Sequence, residues 1–320
     1  MDVETSATGG QPSPAPPSGG VAGAADGGWV TARPPQMLEV LQRIVCFPAL
    51  CVEHRDLIRT SVRRELQARF TGTALGWFWP LLQPLLLFAV YYFIFTKLLG
   101  FKFGDALPEE QKSAFGIFMF VGVVMWASVA ESLQRGCNVI VENGNLIKKL
   151  AFPSEVLPLN VVLVSLVTML FAIGMFIVGT FTPVWITPGP MLLWLPLLVL
   201  IQGVFTLGLT LFLSALQVFL RDTLQVVTVV VTVWMFVTPL FWAPEVVGDP
   251  IEPYMGLVRA NPMYHLVYAY RAVLMSSEPA FIFNESFGAS VAIFSVWALV
   301  AFALGYGFFI LCQRRFADEV

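Results

Sequence analysis

The sequence predicts an all-α polytopic membrane protein with six transmembrane helices, and three observations support this prediction. Hydrophobic residues make up 57% of the 320 residues and charged residues only 12%, with a mean hydropathy of +0.77, whereas a soluble domain carries about 25% charged residues. Residues 156–220 contain no Asp, Glu, Lys, Arg or His. A turn signal, Thr187-Pro188-Gly189-Pro190, interrupts that run. Because about 20 helical residues cross a hydrocarbon core of about 30 Å, the run holds two spans.

Other charge-free runs supply the remaining spans. The six predicted spans are 77–98, 114–134, 156–181, 191–216, 224–243 and 287–312. Residues 1–36 are rich in Pro, Gly, Ala and Ser and have few large apolar side chains, so they cannot bury a core. We therefore expect a disordered tail there. A cytoplasmic amphipathic interface-helix region at 37–72 and the six-helix transmembrane domain at 73–320 follow.

Lysine and arginine positions predict the orientation, because cytoplasmic loops carry an excess of these residues. An even number of spans puts both termini on one side. The basic residues on that side are Arg43, Arg55, Arg59, Arg63, Arg64, Arg69, Arg135, Lys148, Lys149, Arg221, Arg314 and Arg315. The opposite loops carry Lys97, Lys102, Lys112, Arg259 and Arg271. Both termini are therefore predicted to be cytoplasmic.

Residues 50–70, directly before the first span, form a predicted amphipathic basic helix. Ile58, Val62, Leu66 and Phe70 recur every four residues, and Arg55, Arg59 and Arg63 form a parallel basic stripe. Such a helix lies at the membrane surface against anionic lipid. Two interpretations stay open: simple anchoring, or a contact surface for a cytoplasmic partner.

The loop between the second and third spans is a second candidate. Asn143-Gly144 is a turn signal, residues 145–152 form a short amphipathic stretch, and Pro153 ends it. This stretch is either a docking helix for a partner or an elbow that lies on the membrane.

The external connection 245–285 is the third candidate. Its apolar stretch 254–275 is broken at Asn261-Pro262 and carries Arg259, His265 and Arg271. It is too interrupted for a seventh span, so we expect two short helices that re-enter the outer leaflet, surrounded by protein.

Several classes of function lack their usual residues. The chain contains no G-x-x-x-x-G-K phosphate loop. We also expect no carboxylate within a span, although ion-coupled transport usually needs one. Its four cysteines and two histidines show no metal-ligand spacing, so no catalytic, cofactor or metal site is predicted. An enzyme acting on lipid-linked sugars would have only Asp222, Glu131, His265 and Arg271, on different sides of the membrane. Energy for uphill transport would have to come from another subunit.

Three segments together resemble the ABC-2 family of transporter permeases, in its polysaccharide-export branch for O-antigen, capsule or teichoic acid. They are RRELQARFTGTALGWFWPLLQPL (63–85), NLIKKLAFPSEVLP (145–158) and NPMYHLVYAYR (261–271). The resemblance covers roughly residues 45–318. It implies a homodimer in a bacterial inner membrane with two copies of an ABC ATPase, which bind ATP and Mg²⁺. The cargo that it implies is a lipid-linked polysaccharide.

The resemblance also implies roles for individual residues. The main coupling helix would be about 142–152 and a second contact would lie near Arg221-Asp222. The coupling residues would be Glu142, Asn145, Leu146, Lys148, Lys149, Phe152, Arg221 and Asp222. The interface helix would use Arg55, Arg59, Arg63 and Arg64, and the external gate Asn261, Pro262, His265, Tyr270 and Arg271. Candidate aromatics for the glycan path are Tyr91, Tyr92, Phe115, Phe118 and Trp126. An ABC-2 permease for a drug or lipid is the alternative.

Overall fold

The computed structural model describes residues 37–70, 93–98, 114–149, 153–179, 189–242, 249–275 and 286–319, with isolated positions between 79 and 90 and at 244. Within these residues the regular elements are helices, and none is a strand. The α-helices are α1 (Met37–Glu53), α2 (Arg55–Phe70), α3 (Ala114–Glu142), α4 (Gly144–Lys149), α5 (Val156–Gly179), α6 (Leu195–Phe219), α7 (Thr223–Val237), α8 (Met255–Ala260), α9 (Pro262–Leu274), α10 (Phe287–Gln313) and α11 (Phe316–Glu319). Short turns of other helix types are Phe93–Leu98, Pro190–Trp194 and Asp249–Tyr254.

Among the described residues, four helical stretches are long and apolar enough to cross a membrane. They are Ile117–Glu142, Val156–Ile177, Pro190–Phe219 and Phe287–Gln313. They match the predicted second, third, fourth and sixth spans. The shorter apolar helix Thr223–Val237 matches the predicted fifth span. Of the predicted first span, 77–98, the structure describes Phe93–Leu98 and isolated positions before it, so this span is not tested as a whole. An all-helical membrane protein is confirmed.

Helix α3 is the central element of the bundle. In its most apolar window 78% of the residues are buried inside the protein, against 17% for α10. It continues eight residues past the predicted end of the second span, supported by an i,i+4 hydrogen bond from Asn138 to Glu142. The expectation that no carboxylate lies within a span is wrong for Glu131. This carboxylate is tolerated because α3 is enclosed by protein and because arginines pair with it.

Helices α6 and α10 cross at two glycines. A Cβ atom at Gly305 would overlap the backbone carbonyl of Gly208, and one at Gly208 would overlap the backbone of Ala301 and Phe302. Phe205–Phe294 and Phe212–Phe308 ring contacts lie on either side of this crossing along α6. Small residues let the two backbones approach closely, as in other packed membrane helices.

Helix α7 ends at Val237, earlier than the predicted 243. Thr238 has extended backbone angles, φ −81° and ψ 134°, which is the conformation favoured for a residue that precedes a proline. Pro239 therefore ends the helix. The carbonyl groups of the following turn have no helical N–H partners and need other donors.

The predicted helix at 50–70 is part of a longer pair. The chain turns at His54, between α1 and α2, and α1 begins at Met37. The ring of Phe47 packs edge-on against Phe302 and Tyr306 of α10, with centroids 5.1 Å apart in both pairs. Local periodicity identified α2, whereas α1 lies within the predicted interface-helix region 37–72 but was not predicted as a separate helix; it contains Pro48.

Candidate functional site

Two groups of polar residues lie near opposite ends of α3. Arg271 contacts the backbone near the start of this helix at Phe118, and the turn to α4 follows its last residue, Glu142. The 24 residue steps from Phe118 to Glu142 correspond to a rise of about 36 Å, slightly more than a hydrocarbon core of about 30 Å. This separation places the predicted gate residues and the predicted coupling residues about one membrane thickness apart along the same helix.

The turn between α3 and α4 is organised by Asn143. Its side-chain amide donates to the Val139 carbonyl at 2.8 Å, and its own carbonyl accepts from the backbone N–H of Leu146 at 2.9 Å. Asn143 thus ends one helix and starts the next. The turn predicted at Asn143-Gly144 is confirmed.

The predicted coupling helix at 142–152 begins later in the structure, after Asn143, and residues 150–152 lie outside the described residues. Glu142 is the last residue of α3 and accepts a hydrogen bond from Asn138 at 2.8 Å, so its assignment to the short helix is corrected. Asn145 and Lys148 are exposed, and Leu146 is half-buried. The side chain of Lys149 and the whole of Phe152 lie outside the described residues.

The second predicted coupling contact, Arg221 and Asp222, lies in the connection between α6 and α7 and is exposed. Gln217 holds this connection: its amide donates to the Arg221 carbonyl at 3.0 Å, and its carbonyl oxygen accepts from the Leu224 N–H at 2.9 Å. The thiol of Cys137 in α3 also lies 3.6 Å from that oxygen. Cys137 is five residues before the end of α3, so this connection lies at the same end of α3 as α4.

Interface helix α2 is joined to α3 by a charge network of four residues, Glu65, Arg69, Glu131 and Arg135. Arg69 Nη1 lies 2.6 Å from Glu131 Oε1, and Arg135 Nη1 lies 3.3 Å from the same oxygen. Arg69 Nε is 3.8 Å from Glu65, which also pairs with Arg135. Sequence reasoning missed this network, although the i,i+4 spacing within each pair was a usable signal.

The four arginines predicted on α2 divide between two grooves. Arg55, Arg59 and Arg63 line a groove against α5, whereas Arg64 lines a different one of about 420 Å³ between α2, α3 and the start of α5. Glu142 and Leu146 line this second groove together with Arg64. The structure therefore brings one predicted interface residue together with two predicted coupling residues.

At the other end of α3, Asn261 connects α9 to the end of α7. Its side-chain oxygen caps α9 by accepting from the Met263 N–H at 3.0 Å, and it also accepts from Trp234 Nε1 at 2.9 Å. Its amide donates to the Thr238 hydroxyl at 3.0 Å. Pro262 follows as the first residue of α9, where a missing N–H costs nothing.

Arg271 binds the carbonyl groups that the early end of α7 leaves without helical partners. Its guanidinium donates to the carbonyls of Pro239 and Leu240, both at 2.8 Å, and to Phe118 of α3 at 3.2 Å. The same group lies over the Phe118 ring, 3.2 Å from its centroid. A single buried cation therefore joins α9, α3 and the turn after α7.

His265 and Tyr270 complete the contacts of α9, the longer helix of the broken stretch 254–275. His265 Nε2 is 2.8 Å from the Arg259 carbonyl, and its Nδ1 is 3.5 Å from the Ser290 hydroxyl. Tyr270 donates its hydroxyl to Gln202 of α6 at 2.7 Å. These contacts bind α9 to α8, α10 and α6.

The predicted glycan-path aromatics have different surroundings. Phe118 is 1% exposed and is covered by Arg271. Trp126 lines a groove of about 490 Å³ and meets Trp234 edge-to-face at 5.5 Å. Tyr91 and Tyr92 lie outside the described residues, as does the side chain of Phe115.

The groove beside Trp126 combines aromatic, hydroxyl and charged surfaces. It lies between α3, α5 and α7 and is lined by the hydroxyl groups of Ser128, Ser165, Thr168 and Thr232. Glu131 and Arg135 of the charge network also line it. Within the part of the chain that the structure describes, no group of three or more His, Cys, Asp or Glu residues is arranged to hold a metal ion.

Comparison with known proteins gives a consistent result. The family model described as ABC-2 type transporter matches residues 56–275. The O-antigen export system permease protein RfbA of Myxococcus xanthus is 32% identical over 253 residues, covering 77% of this chain and 90% of that protein. An RfbA protein of Klebsiella pneumoniae, with the same description, is 25% identical over 264 residues, 82% of this chain and 94% of its own length.

The matched region includes α2, the short helix α4, and the segment from Asn261 to Arg271. It covers more than half of the chain, and the Myxococcus relative is matched along nearly its whole length. The chain belongs to the ABC-2 type transporter family.

Proposed function

We propose that this chain is the transmembrane permease subunit of an ABC exporter that moves a lipid-linked polysaccharide of the O-antigen or capsule class across the bacterial inner membrane. The observation that carries the proposal is the near full-length match to relatives described as O-antigen export permeases. It favours this cargo over the drug or lipid alternative. The chain acts as a homodimer, and two copies of a partner ATPase bind the ATP and Mg²⁺.

The partner ATPase docks at the end of α3 that carries α4. Lys148 and Asn145 are exposed there, and Arg64, Glu142 and Leu146 line an open groove beside them. The exposed Arg221-Asp222 turn lies at the same end of α3, held through Gln217. A rigid surface with both charges and a half-buried leucine suits a protein partner that moves as a unit.

Movement of α4 reaches the spans because α4 follows α3 after a single turn residue. The charge network joins α2 to α3, so α2 moves together with α3. ATP binding shifts the equilibrium between two arrangements of the spans only to the extent that the two arrangements bind the ATPase differently. Coupling is therefore mechanical, and the short helix is its point of contact.

Segment 255–274 closes the opposite end of the path as the external gate. Its position is set by Asn261 and Arg271, which bind it to the ends of α7 and α3. A neutral, hydroxyl-rich glycan then meets surfaces such as the groove beside Trp126, where an indole and several hydroxyl groups provide stacking and exchangeable hydrogen bonds.

The coupling step is tested with the purified pair of permease and ATPase. Lys148→Glu reverses a charge on the docking surface, so we expect weaker co-purification and about a tenfold loss of permease-dependent ATP turnover, since charge reversal at a docking surface costs on the order of 1.4 kcal/mol. Arg259→Glu, the same change on the exposed surface of α8, is the matched control. ATP turnover that is equal in the two variants would contradict the docking surface.

The cargo is tested by deleting the gene. We expect loss of the surface polysaccharide and accumulation of the lipid-linked intermediate inside the cell, with restoration by the wild-type gene but not by Lys148→Glu. Normal surface polysaccharide together with altered drug tolerance would favour the drug or lipid alternative.

A further inference from the structure

Helix α2 presents an apolar groove with a basic rim on the side that faces α5. The groove has a volume of about 780 Å³. Its apolar walls are formed by residues of both helices: Ile58, Val62 and Leu66 of α2, and Leu159, Leu163 and Val167 of α5. Arg55, Arg59 and Arg63 line the same groove, and no carboxylate is found among its described lining residues.

These three arginines differ from Arg69 at the end of α2. Their side chains are exposed, and within the described chain they form no ion pair. Arg69, by contrast, is paired with Glu65 and Glu131. Three cations spaced at four-residue intervals form one row along a helix, and a guanidinium binds phosphate oxygens through two parallel N–H groups. The row therefore favours an anionic group with phosphate chemistry.

The apolar wall distinguishes a lipid from a soluble anion. Leu159, Leu163 and Val167 follow one another at four-residue intervals on α5, over a rise of about 12 Å. Val156–Ile177, which contains them, is one of the candidate membrane spans, so this wall enters a hydrocarbon core of about 30 Å. A free phosphate would contact only the arginines, and an uncharged hydrocarbon would contact only the apolar wall.

We propose that this groove binds one anionic phospholipid of the bilayer. Its phosphate lies on Arg55, Arg59 and Arg63, and one acyl chain lies along Leu159, Leu163 and Val167. The lipid fills the space between α2 and α5 on one side of α2, while the charge network binds α2 to α3 on the other. The site is independent of the cargo and adds a bilayer component to the assembly.

The occupant is identified with the full-length permease and its ATPase in nanodiscs of mixed phosphatidylcholine and phosphatidylglycerol. A photoreactive amino acid replaces Leu163, and the cross-linked product is measured by mass spectrometry. We expect the mass of one phosphatidylglycerol, enriched over phosphatidylcholine relative to the bilayer. A cross-link to a second copy of the chain or to the ATPase would overturn the proposal, as would a product without lipid.

The charge requirement is tested with a matched pair of variants on α2. Arg59→Gln removes one cation of the row, so we expect about a fivefold loss of phosphatidylglycerol cross-linking, because one basic residue near an anionic lipid surface contributes about 1 kcal/mol. Arg64→Gln removes the same charge from the other groove and should leave cross-linking unchanged. Equal losses in the two variants would indicate diffuse attraction to the bilayer and would overturn the site.

The acyl-chain requirement needs a separate variant. Val62→Phe fills the α2 wall while all three arginines remain, and it should also reduce lipid cross-linking. Leu66→Phe serves the same purpose if Val62→Phe does not fold. Added glycerol phosphate, which has the headgroup but no chain, should not compete. Competition by glycerol phosphate, or full cross-linking in both filled variants, would overturn binding of an intact lipid.

Discussion

At the scale of single residues, Arg271 shows how backbone carbonyl groups stabilise a buried cation. The residue is 4% exposed, and its guanidinium donates to three backbone carbonyls, two of which lie in the turn after α7. The proline that shortens one helix and the arginine of another helix are thus parts of one arrangement. Each would be unfavourable alone, because carbonyls or a charge would be buried without partners.

Replacement of Arg271 by methionine keeps much of its length and removes these donors. Loss of charged hydrogen bonds to three buried carbonyls should cost about 3 kcal/mol, which lowers the midpoint of thermal unfolding by several degrees. Export should also fall, because the segment 255–274 is no longer held to α3. The measurement is thermal unfolding of purified protein together with surface polysaccharide in cells.

Arg259→Met is the control for this prediction, since Arg259 lies on the neighbouring helix α8 and its side chain is exposed. It should shift the midpoint by less than about 0.5 kcal/mol in equivalent stability. If Arg271→Met were as stable as Arg259→Met, the carbonyl contacts would not hold the turn together.

At the scale of elements, the crossing of α6 and α10 depends on two positions without side chains. Gly208 and Gly305 meet backbone to backbone, so any Cβ atom must push the helices apart. In the bilayer, helices associate through van der Waals packing rather than through release of water, which makes close approach a main source of stability. α10 is mostly unburied along its length, so this contact carries much of its attachment.

Gly305→Ala should therefore destabilise the protein by about 1–3 kcal/mol, although alanine is the better helix former. The yield of folded protein in detergent and the midpoint of thermal unfolding are the measurements. Gly174→Ala in α5 is the matched control, because a Cβ atom there meets nothing within 4 Å. It should be neutral or slightly stabilising, and equal behaviour of the two variants would refute the close crossing.

At the scale of the whole molecule, α3 connects the surface proposed for the ATPase to the segment proposed as the gate. It ends at the turn to α4, it is joined to α2 through the charge network, and its start holds Arg271. Its burial within the bundle explains why Glu131 and Arg135 are tolerated along it. Any movement of α4 has therefore a continuous route to the opposite end through one rigid helix.

The charge network predicts strong coupling between Arg69 and Glu131. Each of Arg69→Gln and Glu131→Gln leaves a half-buried charge with one partner fewer, so the double variant should lose less stability than the two single variants combined. We expect an interaction energy of about 1 kcal/mol, measured as the difference in thermal unfolding and in export.

Arg59→Gln combined with Glu131→Gln provides the comparison for this cycle. Arg59 lies ten residues before Arg69 on α2, about 15 Å along the helix, so its effect should add to that of Glu131→Gln. Additivity in the Arg69–Glu131 pair as well would mean that α2 and α3 are not coupled through these charges.

Local sequence patterns predicted much of this molecule. Four apolar runs appear as long helices, the basic stripe of α2 lies on one groove, and the Asn143-Gly144 turn separates α3 from α4. The relatives agree with the family that three short segments indicated. The ends of elements were less accurate: α3 runs to Glu142, α7 stops at Val237, and the region 37–72 holds two helices rather than one. These ends depend on prolines and pairings whose effect differs with the surrounding protein.

The sequence by itself determined that this protein lies in a bilayer, because it has long apolar runs and few charges. Apolar runs of this length span lipid as helices, which pair every backbone N–H and C=O group within the segment. The sequence also determined the basic stripe, which follows from helical periodicity alone. Three contacts were decided only by the tertiary structure. Arg271 donates to the carbonyls of Pro239 and Leu240, Gln217 donates to the Arg221 carbonyl, and Gly208 packs against Gly305. The Arg271 and glycine contacts join residues far apart in the chain, and all three depend on how the chain packs rather than on any short pattern.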